Sequence, residues 1–285
     1  MTRLAWFLVT LAVLTTAPAY GASPGVKHQR TPESLGLRYS AVRFVTPDSV
    51  RLSGWWFAGP RLADVVVVAP RGEGTMANLL DAVKAMNGLG FSVLTFDYRD
   101  FGPSRPGRRD SLRYVVLASH WVNDMVAALQ YARSRVDSSA HVFAWGGHDL
   151  PSRVALAAAA RDSNLCDALA IEGIQRNTDE IMRVNGTLAI PEAVRQQRGV
   201  VAMRDQPAAA VSNLKVPLLL LVGARDTITT AGATQSVVSS SRSRRDRMMF
   251  PEGGHTDLEQ APDYFDRMRA WFIRMGSIPR QEAEP

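Results

Sequence analysis

The sequence predicts an α/β fold, a mostly parallel sheet with helices on both faces, and three observations carry that prediction. Val65 to Val68 and Leu218 to Leu221 are unbroken runs of four aliphatic residues, as strands buried on both faces require. Between such runs lie segments whose apolar residues recur at helical spacing, Leu79, Leu80, Val83 and Met86 among them. The helical segments are long enough to serve as right-handed crossovers between parallel strands.

Taken in order, residues 38–46 and 50–58 are β-rich runs split by Pro47-Asp48-Ser49, which reads as a hairpin. Residues 64–69 are the first fully buried strand. A helix is expected over 76–86 and is stopped by Gly88 and Gly90. Residues 91–96 form the next buried strand, 114–135 a long helix, 141–145 a strand, 152–161 an alanine-rich helix and 168–171 a strand. A polar stretch, 175–214, contains no Tyr, Trp, Phe or His and reads as a small cap-like insertion. The chain then gives a strand at 216–222, a weak helix at 230–240, a short strand at 247–250 and a closing amphipathic helix at 262–275. No internal repeat is present.

The 285 residues are 46% hydrophobic and 21% charged, a globular composition that excludes wholesale disorder. The single cysteine, Cys166, excludes an intramolecular disulfide framework and any multi-cysteine metal site. The 33 basic residues exceed the 27 acidic ones by a net +6, and only Lys27, Lys84 and Lys215 are lysines. That surplus is spread along the chain, so it describes a solvated arginine-rich surface rather than a nucleic-acid partner. Arg3, the uncharged run 4–14 and Ala17-Pro18-Ala19 follow the order of a secretory signal peptide cleaved after Ala19. As a helix that run rises only ~16 Å, too short for the ~30 Å hydrocarbon core. The expected location is therefore secreted or periplasmic, with an uncleaved anchor as the other reading. Residues 20–36 read as a flexible lead-in, 37–276 as the domain and 277–285 as a tail.

Reactive groups in open α/β sheets gather at the carboxyl ends of strands. Four such ends here carry Phe96-Asp97-Tyr98-Arg99-Asp100-Phe101-Gly102, Gly147-His148-Asp149-Leu150-Pro151-Ser152-Arg153-Val154-Ala155-Leu156, Gly223-Ala224-Arg225-Asp226 and Gly254-His255. In this order and spacing, from Val42 to Trp271, the chain resembles the α/β-hydrolase superfamily. Two registers fit the family's nucleophile elbow, Gly-X-nucleophile-X-Gly: one puts His148 at its centre, the other Asp149. The continuation Arg153-Val154-Ala155-Leu156 selects Asp149. The resemblance makes Asp226 the carboxylate that orients a histidine and His255 the general base. It makes the backbone N–H groups of Glu73 and Leu150 the oxyanion donors.

Three departures from the family pattern stand beside this. Aspartate at the elbow resembles the epoxide hydrolases and haloalkane dehalogenases, whose carboxylate attacks an sp³ carbon; ordinary ester hydrolysis would give an anhydride instead. The cap tyrosines of the first branch have no counterpart in 175–214. Of the arginine pair in fluoroacetate-type dehalogenases only Arg153 is present, Leu150 standing at the nearer site. Pro151 replaces the elbow's second glycine and is expected to hold Leu150 extended, away from the helical geometry that an oxyanion amide needs. The loop that usually reads His-Gly-X is Arg71-Gly72-Glu73, with an acid beside the second oxyanion amide. Asp149 also has a plain reading as a helix N-cap, stabilising by ~1 kcal/mol over alanine, and a further one as a base acting through water.

The expectations are thus a hydrolase acting on a small molecule through Asp149, Asp226 and His255, or a catalytically silent binding or scaffold protein with a degenerate elbow. No cofactor or metal motif is present: Arg71-Gly72-Glu73-Gly74 lacks the Gly-Lys-Ser/Thr of a phosphate loop, and nothing resembles a zinc or calcium site. The arginines at 105, 108, 109 and 113 border the active-site rim or face water. The arginine-rich run 241–247 reads as a solvated loop, or as an anion site.

Overall fold

A computed structural model describes residues 23–61, 63–104, 119–177 and 202–277. The signal-like segment, Arg105, Arg108, Arg109 and Arg113, the start of the long helix, most of the insertion and nearly all of the tail lie outside the described residues. One eight-stranded sheet organises the rest. Its strands are β1 (Ser40–Val45), β2 (Arg51–Phe57), β3 (Val65–Val68), β4 (Ser92–Phe96), β5 (Val142–Gly146), β6 (Ala168–Ile171), β7 (Leu218–Gly223) and β8 (Arg245–Phe250). Across the sheet they run β1-β2-β4-β3-β5-β6-β7-β8. β1 pairs antiparallel with β2, and β2 antiparallel with β4; all later neighbours are parallel. The predicted hairpin closes where Thr46 N–H donates to Val50 O at 2.9 Å, with Ser49 at φ 66°.

The helices are α1 (Leu80–Gly88), α2 (Ser119–Ser134), α3 (Leu150–Arg161), α4 (Pro207–Asn213), α5 (Ala231–Val238) and α6 (Tyr264–Gly276). The aliphatic runs explain the layering. Val65 and Val67 face a core shared with Trp121 of α2 and Leu156 of α3, while Val66 and Val68 face Met86 of α1 and Trp271 and Phe272 of α6. The leucine run of β7 divides in the same way, Leu218 and Leu220 to one face, Leu219 and Leu221 to the other. This period-2 alternation over a run with no polar residue is what a strand covered on both sides requires. Cys166 is free and buried. Among the described residues no helix is long and apolar enough to cross a membrane.

Two expectations change here. The lead-in 20–36 is held from residue 23 onward: Ser23–Pro24 pairs with Glu73–Gly74, His28 Nε2 lies 2.7 Å from Asp97 Oδ2, and residues 32–35 form a 3₁₀ turn. Its Gly, Pro and Ser content suits tight backbone pairing as well as mobility. The arginine-rich run is partly structural. Arg245 donates to Val238 O and Ser239 O, closing the C-terminus of α5, and Arg244 pairs with Asp246.

Candidate active site

At the C-terminal end of β5 the chain turns sharply into α3, and Asp149 sits on the turn at φ 64°, ψ −121°. Positive φ is uncommon for a residue with a Cβ and costs ~1–3 kcal/mol. The turn is allowed by Gly146: a Cβ there would stand 2.6 Å from Pro151 C and 2.7 Å from Ser152 N. Close approach of strand end and helix start thus depends on that glycine rather than on one at position 151. Pro151 occupies the first turn of α3, where a missing N–H costs nothing, and Leu150 is already helical. The expectation that proline would hold Leu150 extended is therefore corrected. The N-cap reading of Asp149 is corrected as well, because its side chain makes no capping bond to α3. The same strained φ that starts the helix turns the carboxylate outward.

That carboxylate meets two groups. Its Oδ2 lies 3.2 Å from His255 Nε2, and its Oδ1 lies 3.5 Å from Nη1 of buried Arg153 one helical turn along. Arg153 also reaches Gln175 Oε1 at 3.3 Å. On the far side of the imidazole, His255 Nδ1 lies 3.1 Å from Asp226 Oδ2. Asp226 follows β7 and is locked by its own turn: Oδ1 accepts Ile228 N–H and Thr229 N–H, each at 2.7 Å, and Oδ2 accepts the Thr229 hydroxyl. The His255 loop follows β8 and crosses the end of β7 closely, since a Cβ on Gly223 would stand 2.7 Å from both Gly253 C and Gly254 O. Three loops from three strand ends thus bring Asp149, His255 and Asp226 together in line.

The charges follow from this placement. Burial works against the His255 cation, but hydrogen bonds to Asp149 and Asp226 outweigh it and raise its pKa to about 10. Burial would raise the Asp149 carboxyl; the His255 bond and the Arg153 charge prevail and hold it well below the usual carboxylate range. Asp226 is likewise brought down to about 2 by His255 and Thr229 against its burial. These directions favour the imidazolium form of His255 between the two carboxylates.

Of the oxyanion candidates, Leu150 directly follows Asp149, and the loop that leads to Glu73 packs against Leu150. A Cβ on Gly72 would stand 3.1 Å from Leu150 Cδ2, so the 71–73 loop rests directly on the elbow. Glu73 is exposed, and its segment is engaged by Ser23–Pro24. Arg71 donates to Glu259 Oε1 at 2.6 Å, tying this loop to the 3₁₀ turn after His255.

One cluster was not found by reading the sequence. Glu172, immediately after β6, is buried; it accepts the Tyr264 hydroxyl at 2.8 Å, and that hydroxyl accepts Trp145 Nε1–H at 3.1 Å. Its second oxygen lies 3.8 Å from His148 Nδ1, and the His148 ring centroid is 5.7 Å from that of His255. Burial first, then the neighbouring Glu259 charge, pushes Glu172 up to about 8; burial and the Arg71 charge lower His148 to about 4. The available signal was position, an acid at the carboxyl end of a buried strand. Among the described residues no group of His, Cys, Asp and Glu side chains is arranged to hold a metal ion.

No family model matches the chain. Two proteins of Mycobacterium tuberculosis, both described as uncharacterized and named MT2364 and Rv2307c, are each 25% identical over 222 residues, covering 75% of this chain and 71% of their own. Among solved structures, the Pyrococcus furiosus esterase Pf2001 superposes with a TM-score of 0.70 at 18% identity, covering 89% of this chain and 98% of its own. The α/β hydrolase GrgF from a Penicillium species gives 0.65 at 16% identity over 85% and 100% of the two chains. The dienelactone hydrolase of Anabaena variabilis gives 0.57 at 15% over 84% and 96%. Strand order, elbow and these likenesses agree: the chain has the α/β-hydrolase fold.

Proposed function

We propose that the protein is a hydrolase of small molecules in which Asp149 attacks an sp³ carbon and the Asp226–His255 pair activates the water that completes the cycle. The supporting observation is the orientation of Asp149: at positive φ on the elbow, its carboxylate addresses His255 Nε2 at 3.2 Å rather than its own helix. A strained turn that aims a carboxylate at a histidine is a costly way to make an N-cap and a direct way to make a nucleophile.

The charge arrangement suits two half-reactions. In the first, an Asp149 oxygen forms a bond to carbon and the leaving group departs with its bonding pair. The product is a neutral alkyl ester of Asp149. Esterification removes the negative charge that helps hold the proton on His255, whose pKa then falls, and the proton is released. In the second, neutral His255, oriented by Asp226, takes a proton from water, which adds to the ester carbonyl of Asp149. The Leu150 and Glu73 amides stabilise the resulting oxyanion, and its collapse expels the alcohol and restores the carboxylate. For a haloalkane the balance is substrate plus water giving an alcohol, the halide and a proton. For an epoxide the proton released by His255 goes to the opened alkoxide, which stays on the product, and the balance is epoxide plus water giving a diol.

Export after cleavage at Ala19 is part of the proposal, and N-terminal sequencing of protein from its native host tests it; an intact Met1 terminus counts against it. The chemistry is tested by single-turnover reaction with short haloalkanes and epoxides in ¹⁸O water. The reading expects a transient alkyl adduct on Asp149, then one ¹⁸O in the Asp149 carboxylate. Alcohol released without label in Asp149 would make Asp149 a base. No adduct with any probe would favour the silent binding protein.

A further inference from the structure

We propose that residues 23–30 form an N-terminal strap that positions the oxyanion loop, and that His28 is its positioning residue, acting through Asp97. The functional half of this inference rests on the reading of 71–73 as the oxyanion loop; the structural half does not.

Three contacts dock the strap on the loops that follow β3 and β4. Gly25 N–H donates to Gly74 O at 2.6 Å, and Gly25 O accepts Gly102 N–H at 2.9 Å. The Gly25 backbone lies so close that a Cβ there would meet Gly74 C at 2.7 Å. His28 then reaches inward, its ring edge-on to Trp55 at 4.5 Å between centroids, and its Nε2 meets Asp97 Oδ2 at 2.7 Å.

Asp97 is what makes this contact matter for the site. It follows β4, is fully buried, and divides its carboxylate between two partners: Oδ2 faces His28, and Oδ1 accepts Met76 N–H at 2.7 Å. Met76 begins the 3₁₀ turn that leaves the 71–75 loop, so the loop's exit is fixed by one oxygen of a carboxylate whose other oxygen is fixed by the strap. The same loop is gripped at Gly74, which stands at φ 68°. Its exit is thus held twice, at Gly74 by Gly25 and at Met76, through Asp97, by His28. A buried carboxylate that loses a charge-assisted partner must find another or shift. A shift of Asp97 carries with it the Met76 amide bonded to its other oxygen, and so the loop.

Hydrogen–deuterium exchange of the full chain tests the structural half without any substrate. In His28→Ala, amides in 71–78 are expected to exchange roughly ten- to hundredfold faster than in wild type, while β5 and α3 stay protected. His28→Gln, whose side-chain N–H₂ can take the place of the imidazole N–H, should restore protection. Gly25→Pro, which deletes the N–H to Gly74 and adds ring carbons where a Cβ would already meet Gly74 C at 2.7 Å, should detach the strap from the loop and produce the same local rise. Unchanged exchange in 71–78 in both His28→Ala and Gly25→Pro, or a rise shared equally by β5 and α3, overturns the proposal. In the haloalkane reaction, His28→Ala should accumulate the Asp149 adduct, because hydrolysis of the ester uses the oxyanion amides and its formation does not. If wild type forms no adduct yet the exchange pattern appears, the strap stands and the Asp149 reading falls.

Discussion

Replacing Glu172 with Gln should make the protein more stable at alkaline pH and leave it nearly unchanged at pH 5. Glu172 is buried with its carboxyl accepting the Tyr264 hydroxyl, and its folded pKa is raised from an ordinary 4.5 to about 8, chiefly by burial. In the unfolded chain it ionises near 4.5. Between those values the unfolded state binds one proton fewer than the folded state, so stability falls as pH rises. At ~1.36 kcal/mol per pH unit, the full loss over the window from 4.5 to about 8 is on the order of 5 kcal/mol, reached by pH 8–9. For a domain of this size that corresponds to roughly 10 °C in Tm. Glutamine keeps an oxygen for Tyr264 and cannot ionise, so Glu172→Gln should match wild type at pH 5 and melt roughly 10 °C higher at pH 9. Calorimetric melts from pH 5 to 9 decide it. Parallel curves for the two proteins would show that Glu172 is ionised and paired in the folded state, refuting the burial argument.

His255 gives a second alkaline limb in a different window. Its folded pKa is raised from 6.5 to about 10, so its contribution is complete below 6.5 and lost as pH rises through 10; His255→Ala should flatten the stability curve there. Gly146→Ala should destabilise by about 1–3 kcal/mol or more, since the new Cβ would meet the start of α3; a wild-type Tm would show that the elbow can open. Pro151→Gly should lower stability by about 0.4–1 kcal/mol through the unfolded chain and leave the elbow as it is. A gain of hydrolytic activity in that variant would mean that proline does constrain the turn.

The fold was legible because its strongest signals are local. Four valines or four leucines in a row have no polar face to expose, so they specify a doubly covered strand without reference to the rest of the chain. The residues at the strand ends were legible for the same reason: short glycine turns fix Asp149, Asp226 and His255 relative to their own strands. What the sequence hid depends on contacts between distant segments. Pro151 looked disruptive because a proline restrains its predecessor, but whether that matters depends on how closely strand end and helix start approach, and Gly146 sets that distance. Glu172 looked like one acid among many until Tyr264, 92 residues later, was placed on it. His28 lay in a stretch whose composition suggested mobility, and its partner is 69 residues away.

The elbow geometry also sharpens a test of whether the acid–base half of the site is competent. Since Pro151 sits in the first helical turn and Leu150 is helical, Asp149→Ser alone suffices, with no change at position 151. A serine at the same strained φ presents its hydroxyl toward His255, which keeps Asp226 at Nδ1. Losing the Asp149 carboxylate removes the leading hydrogen bond that raises the His255 pKa, so the imidazole moves from acid toward base. The substitution also takes one carboxylate from buried Arg153, which retains Gln175, at a cost of about 1–3 kcal/mol that a melt would register. The folded variant should hydrolyse nitrophenyl acetate slowly, with a rate that rises with pH as His255 deprotonates and that His255→Ala abolishes. If it folds and stays inert while exchange data show an ordered 71–78 loop, position and support are both present and chemistry still fails. A fold built for binding would then explain the elbow better than one built for turnover.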